Sequence, residues 1–295
     1  MSADTPATIR PEIVSQALEG RRLDAATVAE LAAVGDILAL GALADDVRRR
    51  RHGASATFVR VHLLDIADAA TWTAAPPSAQ EVRLTGTPPS LDDAVDAVLL
   101  AKGLARECVL RGFVLSDIVH LGGEEGCRML AASGLDELAF CHTGPGAAEG
   151  VRAAREAGLA VRVVGVEREP ADRAAWLLQV RALQDAVGGL QAVAPLPREI
   201  DASMPTTGYS DVRQVALARL VLEDIPSVQV DWMLYGPKLA QVALTVGADD
   251  LDSVPATDDL THGPRRATLE DLRRNITAAG LTPAERTGRQ TRVGE

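Results

Sequence analysis

The sequence predicts an α/β protein: a (β/α)8 barrel of TIM type with an N-terminal helical extension and a reduced first βα unit. Two observations point there. From residue 55 onward, short β-type runs alternate with Ala- and Leu-rich amphipathic segments, and that alternation implies right-handed parallel crossovers. There are eight such runs, which fit a closed barrel better than an open sheet. At 295 residues and 47% hydrophobic content the chain can build one large barrel core. With aromatics at only 3%, that core must be mostly Ala, Val and Leu.

Taken in order, residues 1–10 read as a disordered leader and residues 11–54 as N-terminal helices. The helical stretches are PEIVSQALEG, DAATVAELAAVG and DILALGALADDVRRRRHG, with Asp24 as an N-cap and Gly53 as a stop. The run Arg48–Arg51 reads as a solvated last turn, where cations favour the negative end of the helix dipole. A nucleic-acid contact is the alternative.

The barrel occupies residues 55–281, with strands expected at 57–64, 82–85, 108–113, 136–141, 160–165, 190–194, 227–232 and near 249–254. Between the first two lies DIADAATWTAAPPSAQ, where Pro76 and Pro77 leave room for little or no helix. Residues 282–295 form a charged tail, expected to be loosely held.

A formal net charge of −11 argues against a nucleic-acid surface, which needs clustered basic charge, and against an anionic membrane as partner. No run approaches the ~18 apolar residues of a spanning helix, and MSADTPATIRPE has no apolar targeting core. A cytoplasmic location is the expectation. Cys108, Cys127 and Cys141 are widely spaced, which disfavours a disulfide framework and supplies no C-x-x-C pair.

Several motifs carry a chemical reading beside a plainer one. HTGPGAAEG places Gly144, Gly146 and Gly150 between a strand and a helix, with Glu167 where a ribose-binding acid would sit. It reads either as a variant dinucleotide-binding turn or as an ordinary tight βα turn. Asp249, Asp250 and Asp252 lie at the last strand, either facing the catalytic mouth or serving as caps and turn residues. His62 lies within a strand and is a candidate to point into the barrel; His52, His120, His142 and His262 show no paired spacing, so no metal site is predicted. Ser116 and Ser203 lack a nucleophile-elbow context. Trp232 and Tyr235 are candidates to stack on a ring or to pack.

The stretch ALARLVLEDIPSVQVDWMLYGPKLAQVALTVGADDLDS resembles the C-terminal half of the radical S-adenosylmethionine enzymes of the futalosine route to menaquinone. These are aminofutalosine synthase and the dehypoxanthine futalosine cyclase, with the FO synthase subunits as relatives. LQVRALQDAVGGLQAVAPLP, EVRLTGTPPSLDDAVDAV, the helical lead-in and ATLEDLRRNITAAGLTPAER are similar to further blocks of the same family.

The resemblance implies a [4Fe–4S] cluster held by C-x-x-x-C-x-x-C after the first strand, with S-adenosylmethionine on its open iron. Here that segment reads HLLDIADAATWTAAPP and contains no cysteine. Where the family has a Gly-Gly turn after the second strand, this chain has Gly86-Thr87; in place of the family's Gly-Ala-Glu segment it has GPGAAEG, with Gly144, Gly146 and Glu149 as remnant positions. Val164-Gly165-Val166 stands for Tyr-Gly-His, and Ser253-Val254 for Gly-Thr.

The expectation is therefore a cluster-less, non-radical pseudoenzyme with no cofactor, acting as a binding or partner subunit. Its partner would be an active radical S-adenosylmethionine paralogue or another copy of itself. The alternative is an enzyme doing acid/base chemistry on a nucleoside-like or aromatic small molecule, with Glu149, Asp250, Asp252 and His62 as candidates. A weaker one is nucleotide binding through GPGAAEG, which requires an open sheet.

Overall fold

A computed structural model describes residues 9–199, 207–258 and 268–293. Three helices lead in: α1 (Pro11–Leu18), α2 (Ala25–Ala33) and α3 (Ile37–His52). Asp24 caps α2 by accepting the Thr27 amide, and Gly53 ends α3 at φ 59°. Ile9 and Arg10 are part of this ordered unit: Ile9 is buried and Arg10 pairs with Glu30. The remainder of the expected leader, residues 1–8, lies outside the described residues.

The arginine run is only in part the solvated last turn expected of it. Arg48 is buried against Asp45 and the Gly53 carbonyl, Arg50 donates to the Leu18 carbonyl, and Arg51 donates to the carbonyls of Glu223 and Ile225. Those bonds clamp the lead-in helices to one another and to the barrel. Arg49 and Arg50 remain exposed to solvent.

The barrel strands are β1 (Ser55–Asp65), β2 (Glu81–Thr85), β3 (Val109–Val114), β4 (Glu137–Phe140), β5 (Val163–Gly165), β6 (Ala192–Ala194), β7 (Ser227–Asp231) and β8 (Asp250–Pro255). They run parallel in the order β4-β3-β2-β1-β8-β7-β6-β5. Closure between β4 and β5 rests on the bridges Glu137↔Ala160 and Cys141↔Val164. The dinucleotide reading of GPGAAEG needed an open sheet and falls with this closure.

Around the barrel lie α4 (Leu91–Leu104), α5 (Leu115–His120), α6 (Glu124–Ser133), α7 (Ala147–Glu156), α8 (Arg173–Val187), α9 (Gly208–Val221), α10 (Trp232–Leu244) and α11 (Leu269–Ala278). The main apolar core lies between strands and helices, so Val82, Leu84, Leu110 and Leu138 face outward onto helices. As expected, β1 is followed only by a six-residue 3-10 helix, Ile66–Thr71. Among the described residues no helix is long and apolar enough to cross a membrane.

The tail is the principal departure. Thr282–Glu285 form a ninth strand, β9, parallel to the first half of β1 through the register Ser55↔Thr282 to Phe58↔Glu285. β9 lies beside β1 just below the point where β2 begins to pair at Val61. Beyond it, Gly288 donates to the Gln80 carbonyl and Val293 to that of Glu285. A Cβ on Gly288 would lie 3.0 Å from Val109 Cβ and 3.1 Å from the Gln80 oxygen, so the segment crosses the floor of the barrel in close contact. The charged composition suggested solvation, but Arg286 has its partner, Asp250, inside the barrel.

Candidate functional site

Side chains of alternate strand residues point into a barrel, and here many of those positions are charged. The paired register Arg83↔Arg111↔Glu137 across β2, β3 and β4 sets three ionised groups on one inward layer. Glu81, Arg111, Glu137, Asp250, Asp252 and Arg286 are each buried.

Their pairing is dense. Arg83 binds both oxygens of Asp252 at 3.0 and 2.8 Å and donates to Glu81 at 2.6 Å. Arg111 reaches Glu137 at 2.8 Å, the Gly288 carbonyl at 3.0 Å and Glu81 at 3.2 Å. Arg162 also donates to Glu137. Nearer the mouth, Arg198 spans from the β6 end to Asp252 at 3.3 Å and Asp231 at 3.8 Å, stacked 4.9 Å over the Phe140 ring. The carboxylates Glu81, Glu137, Asp231, Asp250 and Asp252 are matched in number by Arg83, Arg111, Arg162, Arg198 and Arg286. That balance is what lets so many charges sit in a low-dielectric interior.

The environment shifts their protonation. Burial pushes the Asp252 carboxyl up, but the opposing charge and hydrogen bonds of Arg83, aided by Arg198 and Arg286, hold it well below the usual carboxylate range. At Glu137, burial outweighs Arg111 and Arg162 and raises the carboxyl. Arg286 loses to burial but gains more from Asp250, so its guanidinium is held charged.

The predicted site residues do not converge. Asp250 begins β8, so it lies toward the floor, away from the mouth where it was expected. Thr57, Gln229 and Arg286 donate to it. Asp249 is also at the floor, accepting from Arg219, Ser227 and the Val228 amide. Asp252 does face the interior, locked to Arg83. His62 is paired in register with outward-facing Val82, and its Nε2 lies 3.0 Å from the Thr73 carbonyl; it points out of the barrel, contrary to expectation. Glu149 lies in the first turn of α7, with a side chain 76% exposed. Gly144 and Gly146 take φ of 115° and 77°, the conformations of a tight turn before α7. His262 and Ser203 lie outside the described residues. Trp232 is buried in the core, and Tyr235 donates to the Pro197 carbonyl, so both pack.

Sequence reasoning missed Arg83, Arg111, Arg198 and Arg286. A signal for the first two was present in EVRLT, where Glu81 and Arg83 recur at the inward period of 2, and in VLRGFV, where Arg111 interrupts an otherwise uncharged strand.

Gly86 and Thr87 line a cavity of about 500 Å³ shared with Asp65, Pro89, Asp96 and Leu100. A Cβ on Gly86 would lie 3.2 Å from Asp65 Oδ1, so the β2 turn packs directly on the end of β1. The residues present do not fit an iron–sulfur cluster. In the segment after β1, Asp65 accepts the Ala67 amide and its carbonyl takes the Trp72 indole, and no thiolate is available. The three cysteines sit elsewhere, before β3, within α6 and at the end of β4. Among the described residues no group of three or more His, Cys, Asp or Glu side chains could hold a metal ion.

Solved structures confirm the barrel class. Methylornithine synthase superposes with a TM-score of 0.67 at 14% identity over 92% of this chain and 97% of that one. The FeFe-hydrogenase maturase HydG of Carboxydothermus hydrogenoformans gives 0.66 at 14% identity, over 94% and 79%. The fold shared with both is the (β/α)8 barrel. More particularly, residues 195–292 match the family described as the CofH/MqnC C-terminal region.

The relatives agree. Aminodeoxyfutalosine synthase of Streptomyces coelicolor is 33% identical over 162 residues, 47% of this chain and 42% of that protein. The Thermus thermophilus aminodeoxyfutalosine synthase is 34% identical over 122 residues, 37% and 33% of the two chains. Cyclic dehypoxanthine futalosine synthase of S. coelicolor is 28% identical over 135 residues, 42% and 33%. Each aligned span covers less than half of the relative's length.

Proposed function

We propose that this chain is a cluster-less, non-radical relative of the futalosine-pathway radical S-adenosylmethionine enzymes, working as a cytoplasmic binding or partner subunit, with an active paralogue as its partner. One observation carries the reading: the segment after β1, where the resemblance requires C-x-x-x-C-x-x-C, has no cysteine, and residues 1–107 contain none at all. The interior supports it. Asp250 and Asp252 are neutralised by Arg286 and Arg83, which leaves them without the free acid or base that proton-transfer chemistry needs.

The test is anaerobic iron–sulfur reconstitution of the full chain, followed by iron and sulfide assay and incubation with S-adenosylmethionine under reduction. The expected result is no stoichiometric cluster and no cleavage. Stoichiometric loading accompanied by cleavage would sink the reading. Co-purification of a futalosine-pathway paralogue from the native cell would identify the partner.

A further inference from the structure

The exterior of the barrel carries an apolar groove of about 900 Å³, bounded by α3, the start of α9 and α10. Leu38, Tyr209 and Val242 line it and are 81%, 49% and 45% exposed. Large apolar side chains scattered singly need no explanation, but three gathered in one concavity mark a contact surface. Each long wall is a stripe of one helix. Leu38, Ala42, Asp45 and Arg49 recur at helical spacing on α3, and Leu239 and Val242 do so on α10, with Val246 just past its end.

The floor is set by a glycine. A Cβ on Gly41 would lie 2.8 Å from Val246 Cγ1, so α3 comes as close to the end of α10 as its backbone allows. From Leu38 to Arg49 the groove follows α3 for about 16 Å, the length of three helical turns.

Charge selects the occupant. Asp45 is already shared between Arg48 and Arg49, at 2.9 and 2.6 Å. Lys238, exposed on the opposite rim, has no hydrogen bond or ion pair among the described residues. The rim therefore carries surplus positive charge on a chain whose net charge is −11. A second copy would bring that acidic excess against its like, whereas a helix with an acidic flank gains an ion pair at Lys238.

We propose that the groove docks an amphipathic helix of another protein, its apolar i, i+3/i+4, i+7 face over Leu38, Tyr209 and Val242 and an acidic residue on its flank paired with Lys238. This rests on the partner-subunit reading and names the surface it uses.

The test is photo-crosslinking in the native cell, with p-benzoylphenylalanine at Val242 of the full chain and at Leu99 on α4 as the control. Leu99 is 55% exposed and lies outside the groove. The expected adduct at Val242 exceeds the Leu99 background at least tenfold, and its sequenced peptide is helical in pattern with an Asp or Glu on the flank. Leu38→Glu should abolish the adduct and Lys238→Glu should reduce it several-fold, while Lys238→Arg retains it. Unchanged thermal midpoints would show the variants folded. An adduct to another copy of this chain, an acyl-lipid adduct, a peptide without the acidic flank, or no signal above control would each overturn the proposal. A reconstituted cluster would end the preceding reading without altering the crosslink, so the two fail separately.

Discussion

Arg286 and Asp250 form a two-point ion pair inside the barrel, Nε and Nη2 of the guanidinium each donating at 2.7 Å to a separate carboxylate oxygen. Arg286 comes from the segment after β9, so the end of the described chain supplies a charge that the floor of the barrel requires. Arg111 strengthens the same closure through the Gly288 carbonyl.

Removing one partner leaves a buried charge unmatched. Arg286→Met is expected to cost about 3–5 kcal/mol in urea-unfolding free energy. The double variant Arg286→Met/Asp250→Leu should recover most of that loss, because replacing both partners by apolar groups removes the desolvation cost as well. A single variant as stable as the parent would show that the pair is not the closing contact.

Acid stability follows from Asp252. Its carboxyl is held below the ordinary range in the folded protein, so it contributes stability that is complete above the unfolded value of about 3.9 and lost as pH falls toward the folded one. Unfolding free energy measured from pH 5 to pH 2 should fall less steeply in Asp252→Asn than in the parent. His52 acts in a higher window. Burial lowers its imidazole despite the pull of Asp249, so stability is lost as pH falls below about 6.5. His52→Gln should flatten the slope between pH 7 and pH 5.

The thiols should be unequal. Burial pushes Cys141 up to about 12, and burial also raises Cys127 and Cys108. Cys108 is the only one of the three with appreciable exposure, and its Sγ lies 3.3 Å from the Ala79 carbonyl, beside a cavity of about 620 Å³. Titration with a disulfide reagent at pH 8 should label Cys108 slowly and the others only in denaturant. Fast reaction of all three in the folded state would contradict this burial.

Gly247 joins α10 to β8 at φ 119°, where a Cβ would lie 2.9 Å from Arg219 Cβ and 3.2 Å from Ala44 Cβ. Gly247→Ala is expected to lose about 1–3 kcal/mol, through strain and crowding together, measured by thermal or urea melts. Gly103→Ala, with nothing within 4 Å, is the control and should be near neutral or stabilising.

Strand positions were legible because the face packed against the helices must be apolar at every second residue, as at Val82 and Leu84 or Val228 and Val230. The reduced first unit could be read from Pro76 and Pro77, which exclude a helix by local sterics alone. His62 was misassigned because alternation fixes which residues share a face and leaves open which face is inside. Register against Val82 decided that.

The sequence by itself determined the barrel, the helical lead-in and the absence of cysteine after β1, since each is a property of local pattern or composition. Only the tertiary structure decided the fate of the charges. Asp250 and Arg286 are 36 positions apart, and Arg83 and Asp252 are 169 apart. A carboxylate's role depends on which cation meets it in space, and no local spacing encodes that meeting. The tail that composition assigned to solvent is, for that reason, the floor of the barrel.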